Sequence, residues 1–380
     1  MPPFQYLLLL TPLGFLYGST GRFLSPENLV GRSGRQFPPS AATVSGLYAA
    51  THGPEAMEQD AILKDLQVAG PFWTVTGSKS HPVQNFYVPT PFQYRVQKEQ
   101  DVLKQAASLR WRAWADRSAA EVAQGTQPSA KSPEAQAAGF WDAPQGQEPV
   151  KGKFVKNSWV PIQEWANPQN FAEDPWEFVP HLHPRLLDHE RRVAVPDSEG
   201  EDSQGSLFLE NAVQLKPDHA LVYLSNVPLE SGWYRFGGEG HLVELECLNL
   251  AKTTRKLLQK PLGQAFALIT PAVWGSTRYS YRQPYTAGSD PQPLWPQVSI
   301  LTERPSPHRY RLGRELEPAQ AGKNNPYRLS RGRYAVPAGT VYHLGPGVES
   351  LDCWQQWPVD WFPREGYSFK RWGCGLALPL

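Results

Sequence analysis

Between residues 301 and 345 the chain carries eight cations: Arg304, Arg309, Arg311, Arg314, Lys323, Arg328, Arg331 and Arg333. Only three carboxylates, Glu303, Glu315 and Glu317, oppose them, and Tyr310, Tyr327 and Tyr334 are interleaved. Cations neutralise phosphates and rings stack on bases, so this composition suits single-stranded RNA. A solvated basic loop region is the plain alternative. A second group is His181-x-His183 with Asp188 and His189. Two imidazoles at i and i+2 share a strand face, but no third ligand has the spacing of a known metal site, so no metal is expected. His52 could serve as a general base against a 2′-hydroxyl, or it could simply sit at its own helix C-terminus. Gly18-Ser19-Thr20-Gly21 lacks the Gly-Lys-Ser/Thr ending of a nucleotide P-loop, and no Gly-x-Ser-x-Gly elbow occurs. The 14 tryptophans could form a sugar-stacking platform, although their scatter along the chain fits core and interfaces better.

The elements that must position these groups are short. Phe37-Pro38-Pro39 blocks a helix, Ser40 is a good N-cap and Gly53 a good stop, which predicts a helix over Ala41–His52. On it, Ala42, Gly46, Ala49 and Gly53 share one nearly bare face, opposite Val44, Leu47, Tyr48 and Thr51. Arg32 and Arg35 lie just upstream, so the helix N-terminus suits a phosphate; tight packing on a sheet is the other reading of the bare face. Strands are expected at 5–11, 67–76 and 85–88, with a second helix at 56–66, which is most of a split βαβ unit of ferredoxin type. Residues 99–121 show a helical pattern, and 125–152 turn to Gln, Ala, Pro, Ser and Gly, the composition of a linker. Further on, Trp233–Phe236 and 242–246 flank Gly237-Gly238-Glu239-Gly240-His241 as a hairpin. A helix follows over 248–259, capped at Leu248 or Asn249. Strands are expected at 206–209, 220–224, 265–270, 340–344 and 370–376, so the second half fits another such unit. The expected division is 1–124, an insertion 125–152, a connecting segment 153–205, and a second domain 206–380.

Composition sets the remaining bounds. The 380 residues favour two domains, and 38 Pro with 31 Gly favour loops and short strands over long helices. A net charge of +1 means that any attraction to RNA is local. Three cysteines, Cys247, Cys353 and Cys374, form no even framework and no C-x-x-C pair, as in a reduced intracellular protein. The apolar stretch 6–17 is too short to span a bilayer and lacks a basic leader, so a cytoplasmic protein without membrane attachment is expected.

Four stretches are more specific. Phe37-Pro38-Pro39-Ser40 leading into Val44-Ser45-Gly46, Gly70-Pro71-Phe72 with Phe86-Tyr87-Val88-Pro89, Gly237-Gly238-Glu239-Gly240, and Val336-Pro337-Ala338-Gly339-Thr340-Val341-Tyr342 occur in this order. In them the chain resembles the third-subunit family of type III-B CRISPR Cmr effector complexes, in the Cas-five-like group of the RAMP superfamily. The resemblance implies an α+β fold of two ferredoxin-like (RRM-like) domains with Gly-rich loops. It implies binding of the guide RNA (crRNA) through its 5′ repeat-derived tag, docking to the large polymerase-like subunit, contact with the adjacent backbone subunit, no cofactor and no catalysis. After the first strand this chain departs from the family's acidic-Gly-Arg-Pro-like turn, keeping Arg22 in Gly21-Arg22-Phe23. The expected RNA contacts are the backbone amides of Gly237, Gly238 and Gly240, with Ser40 and His241. Arg22, Arg35, Arg331 and Arg333 are expected at phosphates or base edges, and Tyr334 or Tyr342 under a base. The rival expectation is an endoribonuclease of the same superfamily that cuts repeat RNA with His52.

Overall fold

The computed structural model describes residues 3–17, 37–78, 82–113, 139–142, 153–184, 207–237, 240–275, 279–313 and 328–380. Its first sheet has seven strands in the order β13-β14-β1-β12-β3-β4-β9. These are β1 (Tyr6–Pro12), β3 (Val68–Val75), β4 (Tyr87–Pro89), β9 (Trp159–Pro161), β12 (His219–Ser225), β13 (Gly232–Phe236) and β14 (His241–Asn249). A second sheet runs β16-β21-β15-β24, from β15 (Ala265–Leu268), β16 (Ser299–Leu301), β21 (Val341–His343) and β24 (Ala377–Pro379). The pairings within both sheets are antiparallel. A smaller sheet joins β2 (Leu16–Tyr17), β10 (Trp176–Pro184) and β11 (Leu207–Leu215). Among the described residues there are also five two-stranded ribbons: β5 (Tyr94–Glu99) with β6 (Val102–Ser108), β7 (Arg110–Ala113) with β8 (Gly139–Asp142), β17 (Ser306–His308) with β20 (Arg333–Ala335), β18 (Arg311–Gly313) with β19 (Arg328–Leu329), and β22 (Arg364–Glu365) with β23 (Tyr367–Ser368). Among the described residues the α-helices are few and short: α1 (Ala41–His52), α2 (Pro54–Gln59), α3 (Ala61–Lys64) and α4 (Lys252–Leu258). No helix among the described residues is long and apolar enough to cross a membrane.

β1 is central because Leu7, Leu8, Leu9 and Leu10 are buried on both faces, the pattern of a strand covered on two sides. α1 forms where expected. Val44, Leu47 and Tyr48 face the core, and the Gly53 N–H, at φ +82°, closes the helix on the Ala49 carbonyl at 3.0 Å. The Tyr48 hydroxyl reaches the Val227 carbonyl at 2.6 Å and locks α1 over the sheet. The short helix Phe369–Trp372 leans on α1 and β3, and α4 packs against β24, so the core residues of both sheets form one cluster.

Several expectations change. The helical pattern at 99–121 is a hairpin up to residue 108: Glu99 pairs with Val102, and Gln100 and Asp101 at φ +47° and +63° form the two-residue turn. Two left-handed central residues are what a primed hairpin turn requires, and cross-strand pairing overrides the helical spacing. Strands rather than a helix hold Arg110–Ala113 as well. The strand expected at 370–376 is instead a 3-10 turn, Phe369–Trp372, followed by Gly373 and Gly375 at φ +66° and +68°. The strand itself comes later, at β24. The helix expected from 248 starts at Lys252, because β14 keeps pairing with β1 as far as Asn249, opposite Tyr6. Sheet membership also crosses the expected boundary at 206, since β12, β13 and β14 belong to the first sheet.

Candidate nucleic-acid interface

The glycine hairpin forms as expected. Phe236 pairs with His241, and the Gly240 N–H donates to the Gly237 carbonyl at 3.2 Å, closing a tight turn. Gly237 and Gly240 adopt φ +76° and +67°, which L side chains resist, and a Cβ on Gly237 would meet no atom within 4 Å. The main chain there is therefore open to an approaching group. Gly238, within this turn, lies outside the described residues. His241 lies beside Tyr17, ring centroids 5.0 Å apart, and Tyr17 in turn hydrogen-bonds His181 through its hydroxyl. His181 is thereby engaged in a side-chain contact on β10. The His183 side chain, Asp188 and His189 lie outside the described residues.

On the basic stretch the structure separates two neighbouring arginines. Arg331 stands before β20, whereas Arg333 is the first residue of that strand and turns inward. Arg331 is exposed, and its own N–H donates to Glu365 Oε2 at 3.0 Å. Arg333 is buried, its side chain 3% exposed, ion-paired with Glu365 and 5.1 Å above the Phe369 ring. Arg333 is thus a structural cation and not a free phosphate contact. Tyr334, next along β20, is 58% exposed. Tyr342, the other ring expected under a base, is instead fully buried. The Tyr342 hydroxyl donates to the Arg282 carbonyl at 2.6 Å, and burial pushes its pKa upward. His308, packed edge-on against Tyr310, is pushed down to about 4 by burial, with the Arg333 charge adding to the effect.

Ser40 stands at the start of α1 without a side-chain cap bond. Arg22 and Arg35 lie outside the described residues, as do Arg32 and all of the insertion 125–152 except 139–142, which form strand β8. α1 is the common neighbour of the two candidate regions: it lies against β13 of the glycine hairpin and against β18, which pairs with β19 just before Arg331. On the bare face of α1, Ala42 and Ala49 are half-buried against the core, but Gly46 between them is not. Gly46 is exposed, and a Cβ there meets nothing within 4 Å. His52 is exposed at the end of α1, with its ring stacked 6.4 Å from Tyr48.

Sequence reasoning missed one aromatic group. Tyr279 is 53% exposed; its ring stacks 6.3 Å from Tyr281, which stacks 4.1 Å from Tyr285. The Tyr334 N–H donates to Ser280 Oγ at 3.1 Å, which seats this segment beside β20. The spacing Tyr279-x-Tyr281 was the only signal, and a breaker-rich loop follows it. Trp274, Trp295 and Trp354 are fully buried, and Trp233, at 70% exposure, stands on the outer strand β13. A separate concavity of about 730 Å³ is lined by Gln93, Gln105, Trp141 and Trp111, the last lying flat on His343 at 3.7 Å.

No curated protein matches the chain. Among solved structures it is similar at low level to a chain of a cryo-EM structure of the type III-B Cmr-beta complex bound to cognate target RNA. There the TM-score is 0.41 at 11% identity, covering 89% of this chain and 86% of that one. It is also similar to a chain of a Csm3–Csm4 subcomplex of a type III-A CRISPR-Cas interference complex, with a TM-score of 0.35, 9% identity and 99% coverage of both chains. The family model for the CRISPR-associated protein Cas_Cmr3 matches residues 23–380. By that match, which takes in the 37–46, 70–89, 237–240 and 336–342 stretches, the chain belongs to the Cas_Cmr3 family of CRISPR-associated proteins.

Proposed function

We propose that this type III CRISPR effector subunit is a non-catalytic RNA-binding protein that anchors the 5′ repeat-derived tag of the guide RNA. It docks the large polymerase-like subunit and the adjacent backbone subunit. One observation carries the reading: α1 lies against β13, which leads into the open glycine turn, and against β18, whose ribbon leads to exposed Arg331 and Tyr334. The turn offers backbone N–H groups, Arg331 a cation and Tyr334 a ring, three different contacts for a single strand. The two-domain ferredoxin-like reading draws support from strand order. Numbered along the chain, β1, β3, β12 and β14 lie in the order 4-1-3-2, and so do β15, β16, β21 and β24. In the first set β13 occupies the place of a second helix.

Arg331→Ala in the full chain is expected to weaken tag-RNA binding and to lower the slope of log affinity against log salt by about 1, the contribution of one phosphate contact. A filter-binding titration over salt with an unchanged slope removes Arg331 from the contact set. If the wild-type chain does not bind tag RNA in a salt-dependent manner, the reading is overturned. Incubation with repeat RNA separates the rival: a cleavage product that disappears in His52→Ala makes the chain an endoribonuclease.

A further inference from the structure

The segment from Tyr279 to Trp295 is built as a rigid shelf. A Cβ on Gly275, at φ +95°, would come within 2.4 Å of the Tyr281 ring, so glycine lets that ring lie against the main chain. The Thr286 N–H donates to the Gln292 carbonyl at 2.9 Å and the Leu294 N–H to the Pro284 carbonyl at 3.0 Å, closing the loop on itself. Two bonds tie it to the core: buried Tyr342 holds the Arg282 carbonyl, and Gln283 Oε1 accepts from the N–H of Trp295, itself buried, at 3.0 Å. Along this shelf exposed Tyr279 and half-buried Tyr281 and Tyr285 form a stacked series, with exposed Arg282 among them. The Ser280–Tyr334 bond adds exposed Tyr334 and places Arg331 close along the chain.

We propose that Tyr279, Tyr281, Tyr285 and Tyr334, with Arg282 and Arg331, form a stacking platform for the bases of single-stranded RNA. Rings held in advance lose little conformational freedom on binding, and stacking accepts every base because each has a π-face. The arginines supply phosphate contacts along the same path. Glu365, the carboxylate nearest to Arg331 along these bonds, is already paired with Arg333 and does not oppose an anionic strand. Tyr342 is here a positioning residue: it orients the shelf from behind and touches no base. This proposal rests on the RNA-binding reading above.

The test is a fluorescence-anisotropy titration of the full chain with labelled tag-containing single-stranded RNA. Tyr279→Ala with Tyr334→Ala is expected to weaken binding by about 5- to 100-fold without changing the salt slope, because rings are lost and phosphate contacts are not. Tyr279→Phe with Tyr334→Phe keeps the rings and is expected to bind as the wild type does. Photo-crosslinking of 4-thiouridine RNA is expected to label Tyr279 or Tyr334. The proposal is overturned if the alanine pair, melting like the wild type, binds RNA with unchanged affinity. It is overturned equally if that pair loses only a proline-rich peptide or a partner subunit. When Arg331→Ala weakens binding and the alanine pair does not, the platform fails alone; when the wild-type chain ignores RNA, the broader reading fails with it.

Discussion

Arg333, Glu365 and His308 show how one buried group reshapes a basic stretch. Arg333 and Glu365 are ion-paired with side-chain exposures of 3% and 14%, and His308 lies opposite Arg333 in the β17–β20 register. Removing one partner of a buried pair leaves the other charge uncompensated. Arg333→Ala is therefore expected to cost about 3–5 kcal/mol, read as a lower urea midpoint, whereas exposed Arg331→Ala is expected to stay within about 0.5 kcal/mol. Equal small effects would place Arg333 in solvent. His308 gives a pH dependence. Its folded pKa of about 4 lies below the ordinary 6.5, so the folded protein holds the ring neutral. Stability is full above about pH 6.5, falls as pH drops toward 4, and levels off below, a loss on the order of 3 kcal/mol at most. Thermal melts of wild type and His308→Phe between pH 7 and pH 4 are expected to diverge over that window. Parallel curves would remove His308 as the source.

At the level of elements, two glycines separate an open face from a closed joint. Gly46 lies mid-helix on α1 with free space around it, so Gly46→Ala is expected to stabilise the isolated chain by about 0.5–1 kcal/mol. Gly339, at φ +89°, accepts a bond from the Phe92 N–H at 2.8 Å, and a Cβ there would come within 2.7 Å of the Thr90 carbonyl. Gly339→Ala is expected to destabilise by more than about 2 kcal/mol, through both backbone strain and this clash. Urea denaturation checks both; a stabilising Gly339→Ala would show that this joint is not tight. The distinctive run at 336–342 is accordingly a seam. Val336 bridges Ala272, Gly339 docks on the 90–92 turn, and Tyr342 holds the shelf. α1 was legible from Pro38, Pro39, Ser40 and Gly53 because its start and stop signals are local. The 99–108 hairpin was not, since Gln100 and Asp101 carry no Gly or Asn to announce a left-handed turn.

Across the whole molecule, the two 4-1-3-2 sheets share one hydrophobic cluster. A Cβ on Gly373 would come within 2.4 Å of the Ala69 Cβ on β3, and Arg371 donates to the Leu63 and Lys64 carbonyls at 2.9 and 2.6 Å. The C-terminal segment is thus sewn onto the first sheet. Calorimetry is expected to show a single unfolding transition, because a shared core couples the halves. Two well-separated transitions would break this picture.

The sequence by itself determined the α+β class, α1, the glycine hairpin, the local cationic excess in a nearly neutral chain and the family resemblance. Each of these is carried by residues close together in the chain or by composition. Only the tertiary structure decided that β12–β14 close the first sheet, that Arg333 and Tyr342 turn inward, and that Tyr279–Tyr285 stand beside Tyr334. Those outcomes depend on strand register and on partners far away in the chain. A register shift of one residue exchanges buried for exposed side chains, and no local pattern encodes which partner strand sets it.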